Sequence, residues 1–167
     1  MCRSPCAGAS PIPPCRGDPD DGTSGPTPSV LFVCVKNAGK SQMAAGLMRA
    51  AAGDDAAEIH SAGTRPGTAL NAMSVAVLRE VGVDVGDEHP KATDLDLARR
   101  MTWVIVLGRE ARFDPGPGPI VETWDTDEPS DRGIEGVERM RLVRDDIAAR
   151  VDDLTRRLDT SAAGRRG

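Results

Sequence analysis

The amino-acid sequence predicts an α/β domain in which helices cover both faces of a four-stranded parallel sheet. Short apolar runs alternate with amphipathic stretches, which is the order that crossover connections between parallel strands produce. The first run, residues 29–35 (S-V-L-F-V-C-V), is almost uniformly apolar, as expected of a strand buried on both faces. With 167 residues, the chain is long enough for one domain with a proper core and too short for two.

The first strand and helix are predicted between residues 30 and 53. The strand covers residues 30–35, where the run of apolar residues is continuous. Ser41 can cap the helix that follows, because a serine hydroxyl can accept a hydrogen bond from a free amide of the first turn. Gly53 is a typical helix end. The apolar positions of this helix recur at helical spacing and are Met43, Ala44, Leu47 and Met48.

A second strand and two further helices are predicted between residues 57 and 100. The strand covers residues 57–60 and runs into a turn over residues 61–64 (S-A-G-T). A helix is predicted over residues 70–81 because Val75, Leu78 and Val81 fall on one face. A short helix follows near Leu95–Arg100.

Two more strands and a long helix complete the predicted domain. The clearest strand in the sequence is Trp103–Leu107 (W-V-I-V-L), and Ile120–Trp124 is the fourth. A final helix with a heavily charged face is predicted over residues 137–158. Aromatic residues make up only 2% of the chain, so methionines are expected to fill gaps in the core, namely Met43, Met48, Met73 and Met140.

The two ends of the chain are predicted to be flexible. Residues 1–28 contain seven prolines among Gly, Ser, Asp and Thr and show no apolar periodicity, so they cannot bury enough surface to offset the entropy of ordering. The predicted domain spans residues 29–160, and residues 161–167 form a flexible tail. The leader holds three of the four cysteines, Cys2, Cys6 and Cys15.

Composition and cysteine placement argue against several classes of protein. The net charge is −5 without an extended basic run, so a nucleic-acid partner is not expected. No apolar stretch is long enough to span a bilayer and no signal-peptide segment is present, which predicts a cytoplasmic protein without a membrane partner. The uneven cysteines suit neither a disulfide framework nor a zinc site. We therefore expect no metal and no tightly bound cofactor.

The fourth cysteine, Cys34, ends the first strand and opens the pattern C-x5-K-S. A loop of this length can curl its amides around a tetrahedral oxyanion, with the sulfur below the central atom and the Lys40 cation at the far end. The same groups stabilise a thiolate, which is the nucleophilic form of cysteine. Ser41 either caps the helix or donates a hydrogen bond to that thiolate. The predicted oxyanion-binding residues are Val35, Lys36, Asn37, Ala38, Gly39, Lys40 and Ser41.

Other interpretations of the same residues remain open. Cys34 can be a buried structural cysteine, since free cysteine is often buried. Gly39, Lys40 and Ser41 match the end of the nucleotide-binding pattern G-x4-G-K-[ST], although Cys34 stands where its first glycine belongs. A non-catalytic oxyanion- or nucleotide-binding regulator is a further alternative. His60, His89 and Lys91 are expected to have structural or solvated roles.

The segment V-L-F-V-C-V-K-N-A-G-K-S-Q-M-A-A, with S-A-G-T at residues 61–64, resembles the low-molecular-weight phosphatase superfamily. Within it, the chain most resembles the mycothiol-dependent arsenate reductases, the arsenate-mycothiol transferases, over residues 29–158. The phosphatases have arginine where this chain has Lys40. Because arginine grips two oxygens in a fork and lysine is a point charge, hydrolysis of phosphotyrosine is less expected. A low-molecular-weight protein tyrosine phosphatase remains the alternative within the superfamily.

The resemblance also implies a general acid in the segment W-D-T-D-E-P, residues 124–129. The family places an aspartate before proline here, and the matching residue is Glu128, with Asp127 as its neighbouring substitute. A carboxyl group on such a loop can protonate an oxygen that leaves the central atom. The alternative is a solvated acidic turn.

The cysteine count separates the mechanisms that the resemblance implies. Thioredoxin-coupled arsenate reductases resolve the Cys–As adduct with two further cysteines of the fold, and this chain has none after Cys34. The resemblance therefore implies that Cys34 or a bound outside thiol attacks arsenate, with mycothiol as co-substrate, and that water is lost and an arseno-thiol conjugate is released. A separate mycoredoxin- or glutaredoxin-like protein then reduces the conjugate. Resolution by a cysteine of the leader is the alternative.

Overall fold

A four-stranded parallel sheet with helices on both faces confirms the predicted fold class. The computed structural model describes residues 27–53 and 56–164. The strand order is β2-β1-β3-β4. The elements in chain order are β1 (Ser29–Cys34), α1 (Lys40–Ala52), β2 (Glu58–Gly63), α2 (Ala72–Arg79), α3 (Leu95–Arg100), β3 (Trp103–Leu107), β4 (Ile120–Trp124), a 3-10 turn (Pro129–Arg132) and α4 (Gly136–Gly164).

Strand β1 lies inside the sheet and carries Cys34 at its carboxyl end. All six of its residues are buried, because β2 and β3 pair with its two edges and helices cover its faces. The chain passes from β1 to β2 on one side and then to β3 on the other. This reversal makes the carboxyl end of β1 a topological switch point, where ligands of open α/β sheets bind.

Two apolar clusters hold the sheet between its helices. Helices α1, α2 and α4 pack on one face, where Phe32 and Trp124 lie with ring centroids 5.8 Å apart. Helix α3 and the segment after β3 cover the other face, which is built on Leu31, Val33 and Val104. Among the described helices, none is long and apolar enough to cross a membrane.

Strands β3 and β4 and helix α3 have the predicted bounds, whereas β2 and α2 differ from the prediction. Strand β2 continues through residues 61–63, which pair with β1 instead of forming a turn. Helix α2 begins only at Ala72, because the Asn71 side chain accepts hydrogen bonds from two amides of its first turn. It ends at Arg79, and Val81 is therefore 49% exposed instead of facing the core.

Smaller differences concern one helix cap, one methionine and the chain ends. Ser41 does not cap α1, since the capping position is Gly39 and Ser41 lies inside the helix. Met73 is 43% exposed and does not fill the core, unlike Met43, Met48 and Met140. Helix α4 continues to Gly164, past the predicted domain boundary at residue 160. Residues 1–26 and 165–167, which include most of the predicted leader and the end of the tail, lie outside the described residues.

Candidate active site

The Cys34 sulfur lies at the base of the loop that joins β1 to α1. The Cys34 side chain is buried, and its Sγ atom accepts a hydrogen bond from the backbone amide of Asn37 at 3.2 Å. The Ser41 hydroxyl is 2.9 Å from the same sulfur. These two contacts are the kind that stabilise a thiolate, because both partners can donate to it.

Asn37 fixes the shape of this loop and the direction of the Ser41 hydroxyl. It is fully buried and has a φ of 51°, a left-handed conformation that asparagine tolerates better than most residues. Its Nδ2 atom donates to Ser41 Oγ at 2.8 Å, so the serine hydroxyl keeps its own proton for the sulfur. Its Oδ1 atom accepts from the amide of Lys91 at 2.8 Å and from Gln42 Nε2 at 3.2 Å.

The segment that follows β2 binds the outer side of the loop. Backbone amides of residues 64–71 donate to the carbonyls of Cys34, Val35, Lys36 and Ala38 at 2.8 to 3.0 Å. With these carbonyls engaged, the loop amides are the polar groups left for an anion. Gly63 permits the close approach, because a Cβ atom there would lie 2.7 Å from the carbonyl oxygen of Val35.

Lys40, at the start of α1, forms an ion pair with Glu128. The lysine Nζ atom contacts Glu128 Oε1, and the two residues are 88 positions apart in the sequence. Their side chains are 22% and 21% exposed, so both line a partly solvated rim. Arg139 of α4 reaches the other carboxylate oxygen, with Nη2 3.5 Å from Oε2. The structure therefore places the loop's cation and the predicted acid in direct contact.

Asp127 faces a different partner from Glu128. Both of its carboxylate oxygens accept hydrogen bonds from Arg132, at 2.7 and 2.9 Å. This hydrogen bond from Arg132 holds the pKa of the Asp127 carboxyl below its ordinary value. Asp127 is therefore engaged by Arg132, whereas Glu128 is the carboxyl group that contacts the Lys40 side chain of the loop.

The remaining residues singled out from the sequence are either exposed or in contact with protein groups outside the oxyanion loop. Lys36 is exposed on the loop. Lys91 reaches Glu88 with its ammonium group at 2.8 Å and supports the loop through its backbone amide alone. His60 lies 2.7 Å from Glu58, and the carbonyl of His89 accepts from Gln42. Within the described ranges, no group of three or more His, Cys, Asp or Glu residues could hold a metal ion.

Sequence reasoning did not find Gln42, Gly63, Asn71 and Arg139 as parts of the site. Gln42 and Asn71 support the loop from α1 and from the segment before α2, through Asn37 and the carbonyl of Ala38. Arg139 lies on α4, and its Nη2 atom is 3.5 Å from Glu128 Oε2. The S-A-G-T motif was the signal for Gly63, but no local pattern indicates that Arg139 faces Glu128.

Comparison with known proteins supports one family. The model of the family described as "Low molecular weight phosphotyrosine protein phosphatase" matches residues 29–114. A putative arsenate reductase of Halobacterium salinarum is 32% identical over 127 residues, which are 74% of this chain and 87% of that protein. The arsenate reductase of Bacillus subtilis is 30% identical over 132 residues, 74% of this chain and 92% of that one.

Solved structures show the same relationship. The chain matches a thioredoxin-dependent arsenate reductase of Corynebacterium glutamicum with a TM-score of 0.70 and 30% identity, over 83% of its own length and 65% of that chain. A tyrosine phosphatase of Erwinia amylovora, at 19% identity and a TM-score of 0.63, shares the fold. From the matched residues and these relatives, the chain belongs to the low-molecular-weight phosphotyrosine protein phosphatase family.

Proposed function

We propose that this protein is an arsenate reductase that transfers arsenate to a low-molecular-weight thiol, mycothiol. One observation carries the proposal. The Cys34 sulfur sits at the base of an oxyanion loop whose cation is Lys40, and the sequence contains no cysteine after Cys34. This arrangement supports a reaction that is completed by a thiol of another molecule, and a cysteine of the leader is the alternative that the experiment below tests.

The first step forms a sulfur–arsenic bond. The Cys34 thiolate attacks the arsenic of dihydrogen arsenate, one As–O bond breaks, and the leaving oxygen takes a proton from Glu128 and departs as water. Lys40 and the loop amides stabilise the charge on the remaining oxygens. Arsenic stays pentavalent, and the adduct carries one negative charge.

The second step passes arsenic to the small thiol, and reduction follows on another protein. The thiol replaces Cys34 on arsenic and the cysteine regains its proton. A mycoredoxin- or glutaredoxin-like thiol then attacks the sulfur of the conjugate and forms a mixed disulfide. The electron pair of the S–As bond stays with arsenic, which becomes trivalent and leaves as arsenite.

Two observations support arsenate over an aryl phosphate as the substrate. The relatives of 30% identity or more that are described above are called arsenate reductases, one of them putative. Lys40 also offers a single ammonium group, where a fork of two donors would grip a phosphoryl group more specifically.

Mass spectrometry of the products after mixing protein, arsenate and mycothiol tests this proposal. We expect an arseno-mycothiol conjugate with the native protein and none with Cys34→Ser. The triple variant Cys2→Ser, Cys6→Ser, Cys15→Ser should form as much conjugate as the native chain. Absence of a conjugate with mycothiol and with other small thiols would contradict the proposal. Hydrolysis of an aryl phosphate without added thiol would instead support a phosphatase.

A further inference from the structure

Glu128 holds Lys40 in the way that a substrate oxyanion would. A carboxylate presents two oxygens that share a negative charge, as one edge of a tetrahedral oxyanion does. The Lys40 ammonium group lies against Gly108, where a Cβ atom would be 3.3 Å from Nζ and the φ of +87° favours glycine. The Lys40 ammonium group is already paired with the Glu128 carboxylate, so an oxyanion that binds this lysine must displace Glu128 from it.

Arg139 has donor capacity that its present contacts do not use. Its Nη2 atom is 3.5 Å from Glu128 Oε2, which is at the outer limit of a hydrogen bond. Its Nε atom is buried and has no hydrogen-bond partner among the described residues. The Nε and Nη2 pair is one of the edges that guanidinium groups use to bind a carboxylate through two parallel hydrogen bonds. Arg139 is therefore equipped to hold Glu128 more tightly than it does here.

We propose that an incoming oxyanion exchanges with Glu128 on Lys40, and that Arg139 is the positioning residue that takes over the Glu128 carboxyl group. The inference rests on the proposed function for the identity of the oxyanion, arsenate. The exchange keeps the acid beside the loop and separates it from the lysine. It also means that Glu128 competes with the substrate before it serves the reaction.

Binding of inorganic phosphate, measured by titration calorimetry without any turnover, tests the competition. Glu128→Gln should tighten phosphate binding roughly fivefold, the equivalent of about 1 kcal/mol for a partly exposed ion pair. Glu128→Asp should also tighten it, because the shorter side chain keeps the charge but loses its reach to Lys40. Asp131→Asn removes a nearby exposed carboxylate and should leave the affinity unchanged. If phosphate binding is tightened by Glu128→Gln and by Asp131→Asn but not by Glu128→Asp, the effect is general charge repulsion. That result would overturn the exchange.

A double-mutant cycle tests the part assigned to Arg139. Arg139→Met should weaken phosphate binding severalfold when Glu128 is present, because the displaced carboxylate loses its new partner. In the Glu128→Gln background the same substitution should have little effect. Arg156→Met is a charge-matched control on an exposed part of α4, about 25 Å along the helix axis. Equal weakening by Arg139→Met in both backgrounds would show a simple attraction between Arg139 and the anion, and would exclude the exchange.

Turnover gives a second readout that separates this inference from the proposed function. With arsenate as substrate, Glu128→Gln should lower kcat and KM together, and Arg139→Lys should restore much of the kcat that Arg139→Met loses. Thermal melting checks that each variant is folded. If arsenate is not turned over but the phosphate cycle behaves as described, the proposed function fails and the exchange stands. If the conjugate forms but the cycle shows no coupling, the exchange alone is wrong.

Discussion

Asp127 and Glu128 are neighbours in the sequence, and the structure separates their chemistry. The hydrogen bond from Arg132 lowers the pKa of Asp127 and holds this carboxyl group against the arginine. Glu128 instead contacts Lys40 at the entrance of the loop. The sequence left both residues as possible acids, because the family motif identifies a position before a proline and not the side chain that faces the loop.

The two carboxyl groups should respond differently to removal. We expect Glu128→Gln to lower kcat for arsenate roughly 100-fold, the usual size of a lost general acid. Asp127→Asn should change kcat less than about threefold. Steady-state kinetics with mycothiol measure both. A large loss with Asp127→Asn and a small one with Glu128→Gln would reverse the assignment.

Ser41 is expected to control the reactivity of Cys34. Its hydroxyl lies 2.9 Å from the sulfur and is turned towards it by Asn37. Hydrogen bonds to charged groups contribute about 1.5–3 kcal/mol, so Ser41→Ala should slow alkylation of Cys34 by iodoacetamide at least tenfold at neutral pH. Mass spectrometry of the alkylated protein follows the rate. An unchanged rate would mean that the amide of Asn37 stabilises the thiolate alone.

The sequence predicts the site residues that lie close together along the chain. It misses the residues that only the fold brings to the site. Cys34, Lys40 and Ser41 lie within eight residues, so their spacing alone indicates an oxyanion loop. Arg139 reaches the site from a helix more than a hundred residues after Cys34. Its contact with Glu128 depends on how α4 packs on the sheet, and no local pattern records that packing.

Among the elements, β2 shows most clearly how packing overrides local preference. Ser61, Ala62 and Gly63 are typical turn residues, yet they pair with Phe32, Val33 and Cys34 of β1. Glycine is required at position 63 because the oxyanion loop crosses the end of β2 there at close range. Gly63, which is typical of a turn in the sequence, therefore ends a strand and lets the loop pass close to it.

Gly63→Ala tests this close approach. The added methyl group would lie 2.7 Å from the Val35 carbonyl oxygen and 2.9 Å from the Asn37 amide nitrogen, which are backbone atoms of the loop. We expect a loss of about 1–3 kcal/mol in the free energy of unfolding and weaker phosphate binding. Thermal melting and calorimetry measure the two effects.

Gly67→Ala is the matched control for that substitution. Its nearest neighbours would lie 3.8 Å or more from the added methyl group, which is ordinary contact, so the melting temperature should not fall. An equal fall in melting temperature for Gly63→Ala and Gly67→Ala would mean that the clash with the loop backbone is not the cause of the lost stability.

For the whole molecule, the described carboxyl groups with lowered pKa values predict how stability depends on pH. The largest cause of each lowered pKa is a hydrogen bond to the carboxylate. A basic side chain donates it in four cases, and the Gly86 amide donates it to Asp84. The five groups are Glu80, Asp84, Glu88, Glu122 and Asp127. A carboxyl whose pKa is lower in the folded state stabilises it fully above the unfolded pKa and loses that contribution as the pH falls.

Stability should therefore be constant near neutral pH and fall progressively below about pH 5. All five side chains are at least partly exposed, so added salt should reduce the dependence of stability on pH. Urea denaturation between pH 7 and pH 3 measures it. A free energy of unfolding that rises on acidification would contradict the prediction.

The fold class could be predicted from the sequence because the strands are short, apolar and separated by helices. Strands β3 and β4 have the predicted bounds, since β3 is an unbroken apolar run and β4 is rich in β-branched residues. The order of the strands was not predicted. It depends on long-range pairing between β1 and β3, which lie some seventy residues apart and share no local signal.

That order of strands has a consequence for a chain that is still being synthesised. Cys34 and the loop leave the ribosome early, together with β2, whereas β3 and the carboxylate partner of Lys40 are translated much later. Until residue 107 is available, one edge of β1 has no partner and the thiol is not enclosed by the finished sheet. We therefore expect the Cys34 thiol of the nascent chain to be more accessible to oxidants during this interval than it is in the folded protein, where it is buried.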